Sequence, residues 1–446
     1  MLAKRIGWWM LASGCALAAC VASSDKDEAA PGSGQTIQEA RSDKPRDTSP
    51  NISDAAFAEL ITGNNAFAFD LFHKLATPGA NHVSSPLSVS VALGMTWAGA
   101  RTTTESQMAT ALHFTLPQSS LHTAMNKLLL ELASRNTAPK DAASDKVLRL
   151  DLVNAAWAQR GYEFVPAYLD TIAVEYGAGI NLLNFTADPK GATDAINGWV
   201  ASKTQDKIQE LIPYDSITGA TRLVLTNTLY FFGNWSAPFE KSATADATFH
   251  AVSSDVTASM MNRTIQTRYA EGDGWQMAEL PYQGNQVAMA IVLPAEGRFD
   301  EIQGLLSASW LLAADAGATS TSVDLSIPKF RFTWGTQSLV QPLQALGMVD
   351  AFLPSADFFA MKELSSPIKD EWLNIGDILH KAFISVDEEG TEAAAATAVI
   401  MDACLDAGVP PQGKELIANR PFLFLIRDRT TKSLLFVGQV VDPTKG

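Results

Sequence analysis

The residues that could do chemistry in this chain are few, and the first of them is the thiol of Cys404. A thiol activated by a histidine such as His380 would be the minimum for a cysteine hydrolase. The chain has no Gly-x-Ser-x-Gly elbow and no His-Glu-x-x-His helix, the usual marks of serine hydrolases and zinc proteases. We therefore predict that the chain is not an enzyme, and the sequence indicates no cofactor and no metal.

A glycine-rich stretch over residues 408–414 imitates a phosphate-binding loop. Glu415 stands where such a loop needs serine or threonine to hold magnesium. Pro410 and Pro411 have no amide hydrogen to donate to a phosphate. The chemistry of this stretch therefore excludes nucleotide binding.

Residues 388–402 form an unusual stretch, because one side of it is small and uncharged. In an extended chain alternate side chains face opposite ways, so Thr391, Thr397 and the odd-numbered residues between them share one face. Glu392 and Asp402 lie on the other face. Such a segment could enter an existing sheet without burying an unpaired charge, which is costly. Four successive alanines also suit an ordinary helix or linker, and composition alone leaves that alternative open.

Strands are predicted on both sides of this stretch. Alternating apolar residues at 382, 384 and 386 predict a strand that ends just before Gly390, and glycine allows a sharp change of direction there. Apolar runs over 421–426 and 434–441 predict two buried strands joined by a polar turn. The small-residue stretch is therefore expected to be a loop held between strands of the fold.

Seven motifs of this chain, taken together, resemble those of the serpin family. In chain order they are Ser84–Ser88, Asn227–Trp235, Ile327–Phe330, His380–Ala382, Glu388–Ala396, Asn419–Phe424 and Phe436–Pro443. Each motif alone is weak, whereas their shared order is strong. The resemblance implies an α+β serpin fold of three β-sheets and about nine helices. It spans residues 53–446 as one domain, with an exposed reactive-centre loop over about 388–418.

The resemblance also implies a function, which is suicide-substrate inhibition of serine proteases. A protease would cleave the loop, and the freed segment would insert into the main sheet while the acyl-enzyme is trapped. The hinge residues carried over from the family are Glu388, Gly390, Thr391, Glu392, Ala393, Ala394, Ala395, Ala396 and Thr397. The alternative is a non-inhibitory serpin-fold surface protein that binds a ligand or partner. The small side chains of the hinge favour inhibition.

The reactive bond is predicted by counting fourteen residues from Gly390, as in many inhibitors of the family. This places the bond between Cys404 and Leu405. A small apolar residue before the bond suits elastase-like or subtilisin-like serine proteases, with papain-like cysteine proteases second. The segment that follows is longer than in better-known members, so Met401, Ala403 and Leu405 stay open as alternatives for the residue before the bond.

The resemblance assigns two structural groups around the main sheet. The sheet-opening cluster comprises Ser85, Ser88, Asn227 and His380, a polar group expected beneath the sheet. The sheet-top contacts comprise Trp235, Lys329 and Glu388, with an ion pair expected between the last two.

The N-terminus resembles the signal peptide of a bacterial lipoprotein. Lys4 and Arg5 precede an apolar run that is too short to span a bilayer comfortably. Residues 17–20 resemble a lipobox, so residues 1–19 are predicted to be removed and Cys20 to carry lipid; Cys15 is the poorer candidate. Residues 20–52 are polar and are predicted to form a flexible tether. The protein would then be exported and anchored to the outer membrane, on its periplasmic or cell-surface face.

Composition limits the remaining partners. The chain has a 47% hydrophobic content and a formal charge of −15, which suit a large core and disfavour binding of nucleic acid or anionic lipid through the domain surface. Leu121 to Arg135 holds only two basic residues, so no polysaccharide cofactor is expected. We expect a monomer whose partners are a target serine protease, bound covalently, and the membrane, reached through the N-terminal lipid.

Overall fold

The computed structural model describes residues 28–29, 34–136, 148–362, 373–391 and 413–446. Within these ranges the chain forms nine α-helices and seventeen strands. The helices are α1 Asp54–Leu75, α2 Pro86–Trp97, α3 Thr102–Ala111, α4 Gln118–Ala133, α5 Pro166–Tyr176, α6 Pro189–Lys203, α7 Phe299–Leu305, α8 Ala308–Gly317 and α9 Val340–Ala345.

The strands alternate with these helices in the first half of the chain and dominate the second half. They are β1 Glu28–Ala29, β2 Thr36–Ala40, β3 His82–Ser84, β4 Leu148–Gln159, β5 Ile180–Leu183, β6 Leu223–Asn234, β7 Ala245–His250, β8 Asp255–Gly272, β9 Trp275–Pro281, β10 Val287–Pro294, β11 Thr319–Pro328, β12 Phe330–Ser338, β13 Asp377–Val386, β14 Gly390–Thr391, β15 Lys414–Ile417, β16 Phe422–Asp428 and β17 Leu434–Val440.

One of the two strand networks is an eight-stranded sheet, which we call the main sheet. Its strand order is β1-β2-β5-β4-β6-β14-β13-β12. A second network has the order β15-β11-β8-β9-β10-β16-β17-β3, with β7 paired to β8. Strand β8 pairs with β7, β11 and β9 along its length, so it links strands that the resemblance implies to be separate sheets into one network.

The polypeptide crosses between the two networks at Lys329. Strand β11 ends at Pro328 in the second network and β12 begins at Phe330 in the main sheet. The shift in apolar parity across Pro328 predicts a bulge or a strand that passes from one sheet to another, and the structure shows the second of these.

The core lies between the main sheet and the second network, with α2 at its centre. Every residue of α2 is buried. The helix contacts β4 and β6 on one side and β17 on the other. A helix that is apolar all round can be satisfied only in such a position. The predicted α+β class is thus confirmed.

The N-terminal segment departs from the predicted tether. Strand β2 pairs antiparallel with β5, so residues 36–40 extend the edge of the main sheet. Beyond it, Lys44 forms an ion pair with Asp170 at 2.8 Å, and the Arg46 guanidinium donates to Asn126 Oδ1 at 2.9 Å. We call residues 34–47 the N-terminal strap. Polar composition suggested disorder, but backbone pairing, charged contacts and the packing of Ile37 against the apolar cluster around α6 order the strap.

No helix among the described residues is long and apolar enough to cross a membrane. The predicted signal peptide and Cys20 lie outside the described ranges. The described residues also contain no group of three or more His, Cys, Asp or Glu side chains placed to hold a metal ion.

Candidate functional site

The hinge begins with a tight turn at the end of β13. The Asp387 amide donates to the Gly390 carbonyl at 2.9 Å. The Asp387 carboxylate accepts from the amides of Glu389 and Gly390 at 2.9 and 3.2 Å. The turn reverses the chain, so the residues that follow run antiparallel to the strand they have just left.

Strand β14 then enters the main sheet between β6 and β13. Gly390 pairs with Asn234, and Thr391 pairs with both Gly233 and Val386. A Cβ atom at Gly390 would lie 2.0 Å from the Gly233 carbonyl oxygen, so only glycine fits this close approach. The first two residues of the loop are therefore already a strand of the main sheet.

Thr391 faces the core. Its side chain is buried, and its hydroxyl shares a hydrogen bond of 2.6 Å with the hydroxyl of Tyr282. Burial raises the pKa of Tyr282 far above its usual range. Tyr282 also stacks on Trp235 at a centroid distance of 4.5 Å. The core under the hinge is thus closed by two aromatic rings and one polar contact.

Trp235 holds the turn from the β6 side. Its indole Nε1 donates to the Asp387 carbonyl at 2.9 Å, and its amide donates to the Glu389 carbonyl at 2.8 Å. The Phe239 amide donates to the Glu388 carbonyl at 2.8 Å. The segment after β6 therefore satisfies three carbonyls of the hinge turn, which keeps the turn in place.

Glu388 is the charged contact of the hinge. Its carboxylate lies 2.9 Å from Lys329 Nζ and accepts from the Thr244 hydroxyl at 2.9 Å. Burial by itself would raise the pKa of Glu388, but the hydrogen bonds from Lys329 and Thr244 outweigh it and hold the pKa below its usual range. Beside it, Lys241 Nζ lies 3.2 Å from the carboxylate of Glu389.

Farther down the main sheet, His380 joins β6 and β13. Its Nε2 accepts from the Ser85 amide at 3.1 Å, so the proton of the neutral ring is on Nδ1, which donates to Asn227 Oδ1 at 2.8 Å. Burial lowers the pKa of His380 to about 4, although its hydrogen bond to the Asn227 backbone opposes the shift. The ring is therefore neutral near pH 7.

The same histidine marks the point where the main sheet closes. Strands β6 and β13 pair in parallel only from Asp377 to His380, opposite Val224 to Asn227. Above this level β14 lies between them at the far end of β6. The main sheet is thus shut at His380 and already parted at the hinge.

Comparison with known proteins identifies the arrangement. The family model described as Serpin (serine protease inhibitor) matches residues 62–443. The chain belongs to the serpin family. A serpin-like protein of Thermococcus kodakarensis is 37% identical over 87% of this chain and 86% of its own length. The leukocyte elastase inhibitor of Sus scrofa is 34% identical over 86% of this chain and 100% of its own.

Solved serpin structures share the fold. The thermophilic serpin tengpin in its native state superposes with a TM-score of 0.75 at 30% identity, covering 88% of this chain and 95% of tengpin. Human thyroxine-binding globulin gives a TM-score of 0.74 at 27% identity, covering 87% and 100%. Serpins are generally protease inhibitors rather than catalysts and typically bind target proteases. The globulin's name shows that some members are binding proteins.

The structure refines the predicted sheet-opening cluster of this serpin. Ser85 takes part through its backbone amide, and its buried hydroxyl has no partner among the described residues. Ser88 reaches the cluster through Asn154, since its hydroxyl donates to Asn154 Oδ1 at 3.0 Å and the Asn227 amide donates to the same oxygen at 3.3 Å. Asn154 is on β4, and no motif in the sequence pointed to it.

A second buried histidine was also missed. His82 packs edge-on against Trp334 at a centroid distance of 4.6 Å, and Trp334 in turn lies 5.9 Å from His380. Burial and the neighbouring His380 lower the pKa of His82 to about 3. The neighbours of His82 come from distant parts of the chain, so no local pattern in the sequence predicted these contacts.

The remaining predicted site residues lie outside the described ranges. They are Glu392, Ala393, Ala394, Ala395, Ala396, Thr397, Cys404, Leu405 and Cys20. Described residues that the sequence gave no signal for are Tyr282, Thr244 and Lys241, all of which contact the hinge.

Proposed function

We propose that this serpin is a suicide-substrate inhibitor of serine proteases that traps the acyl-enzyme by inserting its cleaved loop into the main sheet. The observation that carries the proposal is the position of β14, which begins a new strand between β6 and β13. The residues that would extend this strand are small on the side that Thr391 turns to the core.

The register of β14 defines the path of insertion. Continued antiparallel from the pair of Thr391 with Gly233 and Val386, the strand would bring residue 397 opposite both Asn227 and His380. Its parity puts Ala393, Ala395 and Thr397 on the core side with Thr391. Each of these side chains is small enough to enter without displacing the aromatic rings beneath.

Insertion requires β6 and β13 to separate. The parallel pairs at Asp377 to His380 and the hydrogen bonds of His380 must break before residue 397 can enter. A new strand of about ten residues gains backbone bonds to both neighbours, and at roughly 1 kcal/mol per bond these sum to on the order of 10 kcal/mol. Cleavage frees the chain end that makes this gain possible, so the uncut loop stays out.

The target class follows from the residue before the bond. We propose cleavage between Cys404 and Leu405 by elastase-like or subtilisin-like serine proteases, and second by papain-like cysteine proteases. The similarity to the leukocyte elastase inhibitor of Sus scrofa supports the first class.

A protease panel tests the function directly. The full chain is incubated with pancreatic elastase, subtilisin and papain, and covalent complexes are detected by SDS gel and the released C-terminal fragment by mass. We expect an SDS-stable complex with elastase or subtilisin and a fragment that begins at Leu405.

The melting temperature of the nicked protein provides the second readout. Insertion should raise it well above that of the intact chain, because the relaxed sheet has gained a central strand. Cleavage with no complex and no rise in melting temperature would refute inhibition and support the alternative, a non-inhibitory protein that binds a ligand or partner.

We also propose that the protein is an exported bacterial lipoprotein, with residues 1–19 removed and Cys20 lipidated at the outer membrane. It would be monomeric and need no polysaccharide. Mass analysis of the N-terminal peptide from expressing cells tests the anchor. Cys20→Ala should abolish lipidation, whereas the matched variant Cys15→Ala should leave it intact; the opposite result would move the anchor to Cys15.

A further inference from the structure

A cavity of about 750 Å³ opens between α4 and α5, away from the elements that build the hinge. Its walls also include Ala98, Arg101 and the segment Phe359–Ala360. The volume lies within the range of small-molecule sites in proteins. Apolar side chains make much of the wall, and Phe359 at the rim is 41% exposed.

Two buried side chains carry polar atoms to the cavity wall. Tyr168 is 3% exposed, and burial raises the pKa of its hydroxyl. His122 is also 3% exposed; its Nδ1 contacts the Tyr176 hydroxyl at 2.8 Å, and its buried Nε2 has no partner in the described chain. Buried polar atoms are nearly always paired, so this nitrogen points to a missing ligand.

A third polar atom adds an acceptor. The Glu175 carboxylate lines the cavity, and its Oε1 accepts from the Thr123 hydroxyl at 3.1 Å. Its Oε2 is buried and has no partner among the described residues. Burial, with the nearby Asp47, raises the pKa of Glu175 and outweighs the lowering by the side chains of Thr123, Asn126 and Arg46.

Two charged groups lie at the rim of the cavity. Arg101 donates from Nη1 to the carbonyls of Ala98 and Ala100, and Asp170 is held by Lys44 and Ser42 of the N-terminal strap. Burial and the nearby Arg101 lower the pKa of His122 to about 4, so its ring is neutral near pH 7. Two buried atoms without partners among the described residues are left for a ligand, one carboxylate oxygen and one neutral imidazole nitrogen, and the Tyr168 phenol also lines the cavity.

We propose that this cavity binds a small amphipathic aromatic molecule whose polar end carries a hydroxyl or amino group. The aromatic body would lie against the apolar wall near Phe359, and the donor hydrogen would satisfy Glu175 or His122. The Tyr168 hydroxyl would complete the polar contact. An anionic end is disfavoured because the unpartnered carboxylate would repel it.

Three naphthalene probes test the site on the full chain. 2-Naphthol carries the donor, 2-methoxynaphthalene lacks it, and 2-naphthoate replaces it with a negative charge. Binding is measured by fluorescence titration and by saturation-transfer NMR. We expect 2-naphthol to bind about tenfold more tightly than 2-methoxynaphthalene, the difference made by one or two hydrogen bonds, and 2-naphthoate to bind most weakly.

Two variants locate the probe. Tyr168→Phe removes one hydroxyl and keeps the ring, so the fold should be unaffected while 2-naphthol binds about threefold to tenfold more weakly. Ala167→Trp, at an exposed position that lines the cavity, should block all three probes. The matched controls Tyr214→Phe and Ala133→Trp, outside the cavity, should change nothing.

The proposed ligand site does not depend on protease inhibition, so a failure of one can be distinguished from a failure of the other. The ligand-site proposal is overturned if 2-naphthol does not bind, if Ala167→Trp leaves binding intact, or if 2-naphthol and 2-methoxynaphthalene bind equally and Tyr168→Phe has no effect. The first two results would remove the site, and the third would remove the assigned ligand chemistry.

Discussion

Two segments add a strand to the main sheet, and they do so at opposite kinds of position. The N-terminal strap adds β2 at an edge, against β5. The hinge adds β14 at the centre, between β6 and β13. Edge addition satisfies backbone groups that would otherwise face solvent and breaks no existing pair. In the register of β14, central addition can pass the level of residue 396 only by separating strands that are already paired at His380.

The difference explains why edge addition leaves the sheet unchanged while central addition has a limit. The strap continues past β2 into contacts with α4 and α5. In the register of β14, a longer hinge strand would reach the direct pairing of β6 with β13 at His380. The main sheet therefore offers an unpaired edge to the strap, whereas the hinge meets two strands, β6 and β13, that are already paired at His380.

The largest expected effect comes from charging the central segment. Thr391→Arg would place an unpaired charge against Tyr282, and burying such a charge costs several kcal/mol. We expect the stoichiometry of inhibition to rise by about tenfold or more, with the loop cleaved as a substrate. SDS-stable complex yield measures this. Gln38→Arg on the exposed face of β2 is the matched control, and Thr391→Ser should keep inhibition; equal loss in both arginine variants would break the contrast.

The His380 ring, buried where β6 and β13 pair, should make the free energy of unfolding depend on pH. The folded-state pKa of His380 is about 4, below the ordinary value near 6.5, so its contribution is fully present above pH 6.5 and is lost as pH falls toward 4. The loss is on the order of 3 kcal/mol for this residue. Urea unfolding at pH 7 and pH 4.5 measures it.

His380→Gln should flatten this dependence, while His82 and His122 would retain their own shares. The strap holds no histidine, so removing residues 1–47 should leave the contribution of His380 as it is. A wild-type slope in His380→Gln would contradict the assignment of this pH dependence to His380.

Removing the strap itself should have a moderate effect. Deletion of residues 1–47 exposes the β5 edge and breaks several polar contacts to α4 and α5, for a loss of about 2 to 4 kcal/mol in the free energy of unfolding. Deletion of residues 1–33 keeps the strap and serves as the control. Equal melting temperatures for the two deletions would show that the edge strand contributes nothing.

The smallest effect is expected at the charged contact of the hinge. Lys329→Met removes the partner of Glu388, whose side chain is 7% exposed, and should cost about 1 kcal/mol. Lys241 pairs with Glu389, and the Lys241 side chain is 54% exposed. Lys241→Met should therefore lower the free energy of unfolding by less than Lys329→Met does. Thermal unfolding compares the two variants. A larger loss of stability in Lys241→Met would mean that burial does not determine which ion pair contributes more.

Local sequence patterns were enough to predict several elements. The apolar spacing at Leu60, Phe67 and Leu71 predicts α1, and the run after Pro86 predicts a helix buried on all sides. The parity shift at Pro328 predicts the crossing between sheets. Each of these depends on residues close together in the chain, where period and turn chemistry decide the outcome.

The strap shows where such reasoning fails. Its composition is polar, and hydrophobicity alone predicted a tether. The order comes from an unpaired edge on β5 and from two side chains far along the chain. Asp170 is 126 residues from its partner Lys44, and Asn126 is 80 residues from its partner Arg46. No local pattern in residues 34–47 predicts that this edge and these side chains will bind the strap.

The sequence by itself determined that a glycine and a run of alternating small residues follow β13, and so that this stretch could join a sheet without burying charge. Only the tertiary structure decided where it could join. The Gly233 carbonyl faces Gly390 at a distance that admits no side chain, and β6 and β13 part above His380. Strand pairing is a contact between distant residues, so the place where a sheet is closed or open is set by the whole fold and not by the segment that enters it.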